Sequence, residues 1–115
     1  MKHKPLHELV AFDEPPSVPD GYGGTVNGWS ERFRARASYM RLRGGETVMA
    51  GRLAGKQPTV ITIREHAKAA NVDGTWRARD VRTGEVFNIR SVVLSDDRRH
   101  RELTAESGVA IGTAG

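Results

Sequence analysis

The sequence contains no cysteine. That excludes disulfide staples, thiolate metal ligands and cysteine nucleophiles. No apolar run approaches the roughly 20 residues needed to cross a bilayer, and the first residues lack the apolar stretch of a signal peptide, so a soluble protein made in a reducing compartment is expected. Aromatic residues make up only 6%, which leaves little material for the stacking platforms of single-strand nucleic-acid binders. Metal-ligand spacing is missing too. His3, His7, His66 and His100 are scattered, with none of the close pairs a zinc site uses, and His100 stands among arginines that would repel a cation. No Ser-His-Asp order stands out. The expectation is a chain that is not an enzyme and uses no cofactor or metal.

What is present is turn-forming and mildly basic. The 115 residues support one domain, 1–115, with a modest core: 37% of residues are hydrophobic and mean hydropathy is −0.52. Thirteen glycines and five prolines favour turns over long helices. The formal net charge is +4 with a pI near 10.0. That is compatible with an acidic protein surface or with phosphates, and well short of the concentrated excess of a dedicated nucleic-acid binder.

Hydrophobic alternation predicts a mainly β chain of six strands and one short helix. Residues 1–5 form a short basic tail, and Leu6–Asp13 a first strand with Leu6, Val10 and Phe12 on one face, which Glu8 interrupts. Residues 14–28, E-P-P-S-V-P-D-G-Y-G-G-T-V-N-G, are too rich in proline and glycine for an element interior. Long loops of this kind tend to be binding or assembly segments. Trp29–Arg43 is the clearest strand: Phe33, Ala35, Ala37 and Tyr39 share one face, while Arg32, Arg34 and Arg36 share the other. Glu46–Ala54 reads as a weak helix stopped at Gly55. Gln57–Arg64 is a strand with Ile61 and Ile63 inward, and one helical turn falls around Ala67–Ala70. Thr75–Asp80 sets Trp76 and Ala78 against Arg77 and Arg79, before a tight turn in which Gly84 supplies a positive φ. The chain closes on the hairpin Val86–Ala105. Its first strand places Phe87, Ile89, Ser91 and Val93 on one side, and its second alternates Leu103 and Ala105 with polar residues. Residues 108–115 form a small-residue tail.

Three features offer chemistry. The Walker-like string Gly51-Arg52-Leu53-Ala54-Gly55-Lys56-Gln57 is one residue short, ends in Gln57 where Ser or Thr should bind magnesium, and follows a helix instead of preceding one; it reads as a helix cap before a strand. The hairpin turn carries Asp96, Asp97, Arg98, Arg99, His100 and Arg101. The two aspartates could hold a cation, although the adjacent arginines fit better as their partners. The basic stripes Arg32, Arg34 and Arg36, and Arg77 and Arg79, suit an acidic partner or DNA, since arginine forks match carboxylate and phosphate. They equally suit a solvated face neutralised by cross-strand pairs with acids such as Glu102 and Glu106. Trp29 and Trp76, each at a strand start, read as core.

The order of these segments resembles the phage head–tail joining proteins, also called head-closure, stopper or head–tail adaptor proteins. It rests on Asp20-Gly21-Tyr22-Gly23-Gly24 five residues before Trp29, the strand W-S-E-R-F-R-A-R-A-S-Y, V-I-T-I-R at Val60–Arg64, V-F-N-I-R-S-V from Val86, and the acid-arginine turn with Arg101-Glu102-Leu103. The resemblance covers roughly residues 6–107. It departs in the less regular first strand and the longer Glu65–Asp80 connection.

The resemblance implies a small antiparallel β-barrel that assembles as a homo-oligomeric ring, a hexamer ahead of a dodecamer, in the neck of a virion. The ring would close the portal, retain packaged DNA, and join the adaptor or portal ring above to the tail terminator or tail proteins below. Synthesis would be in the bacterial host cytoplasm, with packaged DNA nearby and no membrane involved. On that reading Pro15, Pro16, Asp20, Tyr22, Gly23, Gly24 and Trp29 belong to an assembly loop. The turn of Asp96, Asp97, Arg98, Arg99 and Arg101 docks an adjoining ring. The alternatives are a stand-alone nucleic-acid-binding barrel and another connector ring such as the tail terminator.

Overall fold

The computed structural model describes residues 6–16, 28–42, 45 and 55–107. They form a closed antiparallel barrel of six strands: β1 Glu8–Glu14, β2 Ser30–Arg41, β3 Gln57–Arg64, β4 Arg77–Asp80, β5 Val86–Leu94 and β6 His100–Ser107. Around the barrel the order is β1-β2-β3-β6-β5-β4, with every neighbour antiparallel. The expected strands are therefore present, with ends shifted by one or two residues. The helical turn is a single 3-10 turn, Ala69–Asn71. The helix expected at Glu46–Ala54 lies outside the described residues, as does most of the proposed loop.

Alternation fills the barrel as the sequence predicts. Phe33, Ala37, Ile61, Ile63, Phe87, Ile89, Leu103 and Ala105 are buried, joined by Val10, Phe12 and Ala78. Ala35 and Tyr39 pack against them half-buried. A barrel of this width has room only for side chains, and the rings of Phe12 and Phe33 stack at 4.8 Å inside it. Gly84 has φ 80°, as its turn requires.

Two expectations fail, each for a local reason. Ser91 and Val93 do not continue the inward ladder of Phe87 and Ile89. Ile89 lies opposite Ala105 but Ser91 lies opposite Thr104, so Arg90 is an extra residue in a β-bulge. The bulge shifts the phase by one: Val92 packs on the core, while Ser91 is exposed and Val93 is 57% exposed. The β3–β4 connection closely approaches the bulge. Gly74 sits so near that a Cβ there would come within 2.8 Å of the Arg90 carbonyl oxygen. Trp29, read as core, lies outside the barrel. It is half-buried, and the Arg77 guanidinium is stacked over its ring at 4.6 Å.

Strand direction sorts the connections. Because β1, β3 and β5 run one way and β2, β4 and β6 the other, the β1–β2, β3–β4 and β5–β6 connections all leave from the same end. The 42–56 connection and the Val81–Glu85 turn leave from the opposite end.

That opposite end is closed by a polar cluster. Tyr39 Oη–H donates to Asp80 Oδ2 at 2.6 Å, and the N–H groups of Arg82 and Thr83 donate to Asp80 Oδ1 at 2.8 and 2.9 Å. Arg41 grips Glu85 with both terminal nitrogens at 2.9 Å and lies 5.2 and 5.4 Å from the ring centroids of Tyr39 and Phe87. Burial pushes the Tyr39 hydroxyl above its ordinary range, and the Asp80 carboxylate adds to this.

Candidate assembly surface

The end carrying the three odd-to-even connections is plugged by aromatic residues. Trp76 and Phe33 are buried, with Ala69 and Val72 from the β3–β4 connection beside them. His66 meets Phe33 edge-on at 5.0 Å. An open cleft of about 440 Å³ lies over Phe33 and Trp76, between the Glu14–Arg32 pair and the side chains of Lys68, Asn71 and Asp73. The stems of the proposed assembly loop flank it. Pro15 is half-buried and Pro16 exposed at one stem; at the other, Gly28 turns the chain with φ 84° into Trp29. Asp20, Tyr22, Gly23 and Gly24 lie outside the described residues.

The basic stripes project outward, as the alternation predicts. The acids that compensate them are not those expected. Arg32 pairs with Glu14 at 2.7 Å and Arg34 with Glu31 at 2.8 Å. Arg77 and Arg79 both reach Asp13, at 2.8 and 3.2 Å, and Arg79 also reaches Glu31 at 3.0 Å. Asp13 is only 2% exposed. Arg34, with Arg79 behind it, holds the Glu31 carboxyl below its ordinary value. Of the acids the sequence pointed to, Glu106 pairs with Arg90, and Glu102 has no ion-pair partner among the described residues. Arg36 alone of the five stripe arginines has no carboxylate there.

The Asp96–Arg101 turn is more ordered than a charge run suggests. Ser95 N–H donates to His100 O at 2.8 Å and Arg98 N–H to Ser95 O at 2.8 Å, with Arg98 itself at φ 62°. Asp97 does not pair with an arginine side chain. Its Oδ1 accepts the Ser95 hydroxyl at 2.6 Å and the Arg99 N–H at 2.9 Å, an Asx-type brace that holds its carboxyl below the ordinary value. Arg101 turns back from the tip and forks onto Glu65, whose N–H in turn donates to Arg99 O at 2.8 Å. Asp96, Arg98 and Arg99 are therefore left exposed on a tip braced to the β3–β4 connection.

Sequence reasoning missed the acids that organise this surface: Asp13, Glu31 and Glu65. The nearest signal for Asp13 was its position, directly after the buried run Val10-Ala11-Phe12, where an acid needs cations across the ladder. Among the described residues no group of three or more His, Cys, Asp or Glu side chains converges as a metal site would require. No helix among them is long and apolar enough to cross a membrane.

A small closed barrel with ion pairs along its wall and at both ends is a module whose described chemistry lies on its surface. The family model for phage head completion proteins matches residues 1–108. The chain belongs to that family of structural phage head proteins.

Two solved structures have the same fold. One is a chain in the virion of the native gene transfer agent (GTA) particle, with a TM-score of 0.64 and 22% identity over 93% of this chain and 98% of that one. The other is the solution structure of protein SF1141 from Shigella flexneri 2a, with a TM-score of 0.66 and 19% identity over 90% and 94%. No curated protein sequence matches the chain.

Proposed function

We propose that this head completion protein acts in the neck of the virion, as a homo-oligomeric ring that closes the portal and joins the DNA-filled head to the tail. The observation that carries this reading is the gathering of the stems of the 14–28 loop, the β3–β4 connection and the braced Asp96–Arg101 tip at one barrel end. A ring protein must meet a neighbouring copy and the ring beyond it, and one end bearing several independent segments suits both contacts. The whole chain serves as one domain, with Pro15–Trp29 as the assembly loop and the exposed tip residues Asp96, Arg98 and Arg99 facing an adjoining ring. Arg32, Arg34, Arg77 and Arg79 are occupied by Glu14, Glu31 and Asp13, which argues against those four arginines as a phosphate-binding groove. The ring would be a hexamer, set between the adaptor or portal ring and the tail terminator or tail proteins, and helping retain packaged DNA. A nonsense mutation in the gene tests the reading. DNA-filled heads without tails should accumulate, and normally tailed particles would overturn it.

A further inference from the structure

Most described arginines of the barrel have a carboxylate beside them. Arg36, Arg64, Arg98 and Arg99 form no ion pair among the described residues, although the Asp97 carboxylate lies near Arg99, and all four are exposed. They are also contiguous. Ala37 lies opposite Ile63 as the last pair of the β2–β3 ladder, which brings the adjoining residues Arg36 and Arg64 to the same edge of the outer wall. Arg64 lies directly opposite His100 in the β3–β6 ladder, and Arg99 and Arg98 continue the row into the hairpin tip. Neighbouring strands are about 4.8 Å apart, and like charges directly opposite one another destabilise a sheet. The chain relieves such crowding with Glu14, Glu31, Glu65 and Glu85 elsewhere, but not here.

Resting on the neck-protein reading, we propose that this cationic wall, Arg36-Arg64-His100 with Arg98 and Arg99, docks an acidic face of another virion protein. The surroundings select protein over DNA. Glu102, two residues along β6 from His100, and Asp96 at the tip have no ion-pair partner among the described residues, and Val93, opposite Glu102, is 57% exposed. A phosphate backbone following the arginine row would be drawn against those carboxylates. A protein surface can place carboxylates on the arginine forks, a cation at Glu102 and an apolar group on Val93.

The test uses full-length protein and DNA-filled heads purified from the nonsense mutant, with cosedimentation as the readout. Wild type should attach, and should not bind a short DNA duplex at physiological salt. Arg64→Glu places a carboxylate between Arg36 and His100, so its melting temperature should be no lower than that of wild type, while attachment weakens on the order of tenfold or more. Arg64→Gln, which removes the charge without reversing it, should weaken attachment in the same direction. If both variants attach as wild type does, the wall is not a docking surface and the neck reading stands. Duplex binding that these variants abolish, with head attachment unchanged, would assign the wall to DNA and overturn the proposal. Wild type that fails to attach to the heads would overturn both readings.

Discussion

Asp13 is buried on the outer wall of the barrel and holds two arginines at once: Arg77 Nε at 2.8 Å from Oδ2 and Arg79 at 3.2 Å from Oδ1. Through Arg77 the same carboxylate reaches Trp29, over whose ring that guanidinium is stacked. One acid thus ties β1 to β4 and, through Arg77, to Trp29 just before β2. Asp13→Asn keeps the volume and removes the charge on which both forks depend. The expected loss is about 2–3 kcal/mol, read as a lower midpoint in urea unfolding. An unchanged midpoint would mean the two arginines are satisfied by solvent and Glu31.

The polar end of the barrel sets the pH window of stability. Burial of Asp80 opposes its ionisation, but hydrogen bonds from Tyr39 and from the N–H groups of Thr83 and Arg82 outweigh it, so its carboxyl lies below the ordinary 3.8. Arg41 likewise holds Glu85 below 4.5. Carboxyls depressed in the folded state contribute stability that is fully present above their unfolded values and is lost as pH falls through the folded ones. Tyr39 is shifted the other way, so its contribution is present below about pH 10 and fades above it. Unfolding midpoints should therefore form a plateau from about pH 5 to 9 that drops at both edges. Tyr39→Phe should lower the plateau and soften the alkaline drop. A midpoint that rises as pH falls from 5 to 3 would contradict this assignment.

Gly74 is required by space. Its missing Cβ leaves room for the Arg90 carbonyl at the bulge, so Gly74→Ala should force the β3–β4 connection off β5 and cost about 1–3 kcal/mol. The loss should appear in thermal melts as a drop of roughly 4 °C or more. If Gly74→Ala melts with wild type, the bulge and the connection are not in contact.

Replacing residues 17–27 with a short Gly-Ser linker should leave the β-sheet circular-dichroism signal of wild type, because the six strands and their core lie outside that segment. Complementation of a nonsense mutant by this variant should yield no infectious particles. Full infectivity would remove the loop from the assembly account.

The strands were legible because Phe33, Ala37, Ile61, Ile63 and Leu103 follow a period of two without interruption. Closure into a barrel was not readable from periodicity, since pairing β1 with both β2 and β4 depends on contacts distant in sequence. The bulge at Arg90 escaped for a similar reason. Nothing in I-R-S-V-V marks the extra residue, and the space that Gly74 leaves for it lies sixteen positions upstream. The arginine stripes were visible as a pattern, but their status depended on Asp13 and Glu31, whose pairing with Arg77 and Arg79 runs across strands distant in sequence. The two stripe-like groups now separate on a physical criterion: Arg32, Arg34, Arg77 and Arg79 are neutralised within the barrel wall, while Arg36 joins Arg64 and the tip.

A barrel that forms a neck ring must be found at the head–tail junction. Electron cryo-imaging of the head–tail junction in assembled particles tests it most directly. The expected image is a ring of six barrels between portal and tail, with the Asp96–Arg101 tips and the Arg36–Arg64 wall against protein density. Particles in which the barrel is found only on the capsid shell, or is absent from the junction, would contradict it.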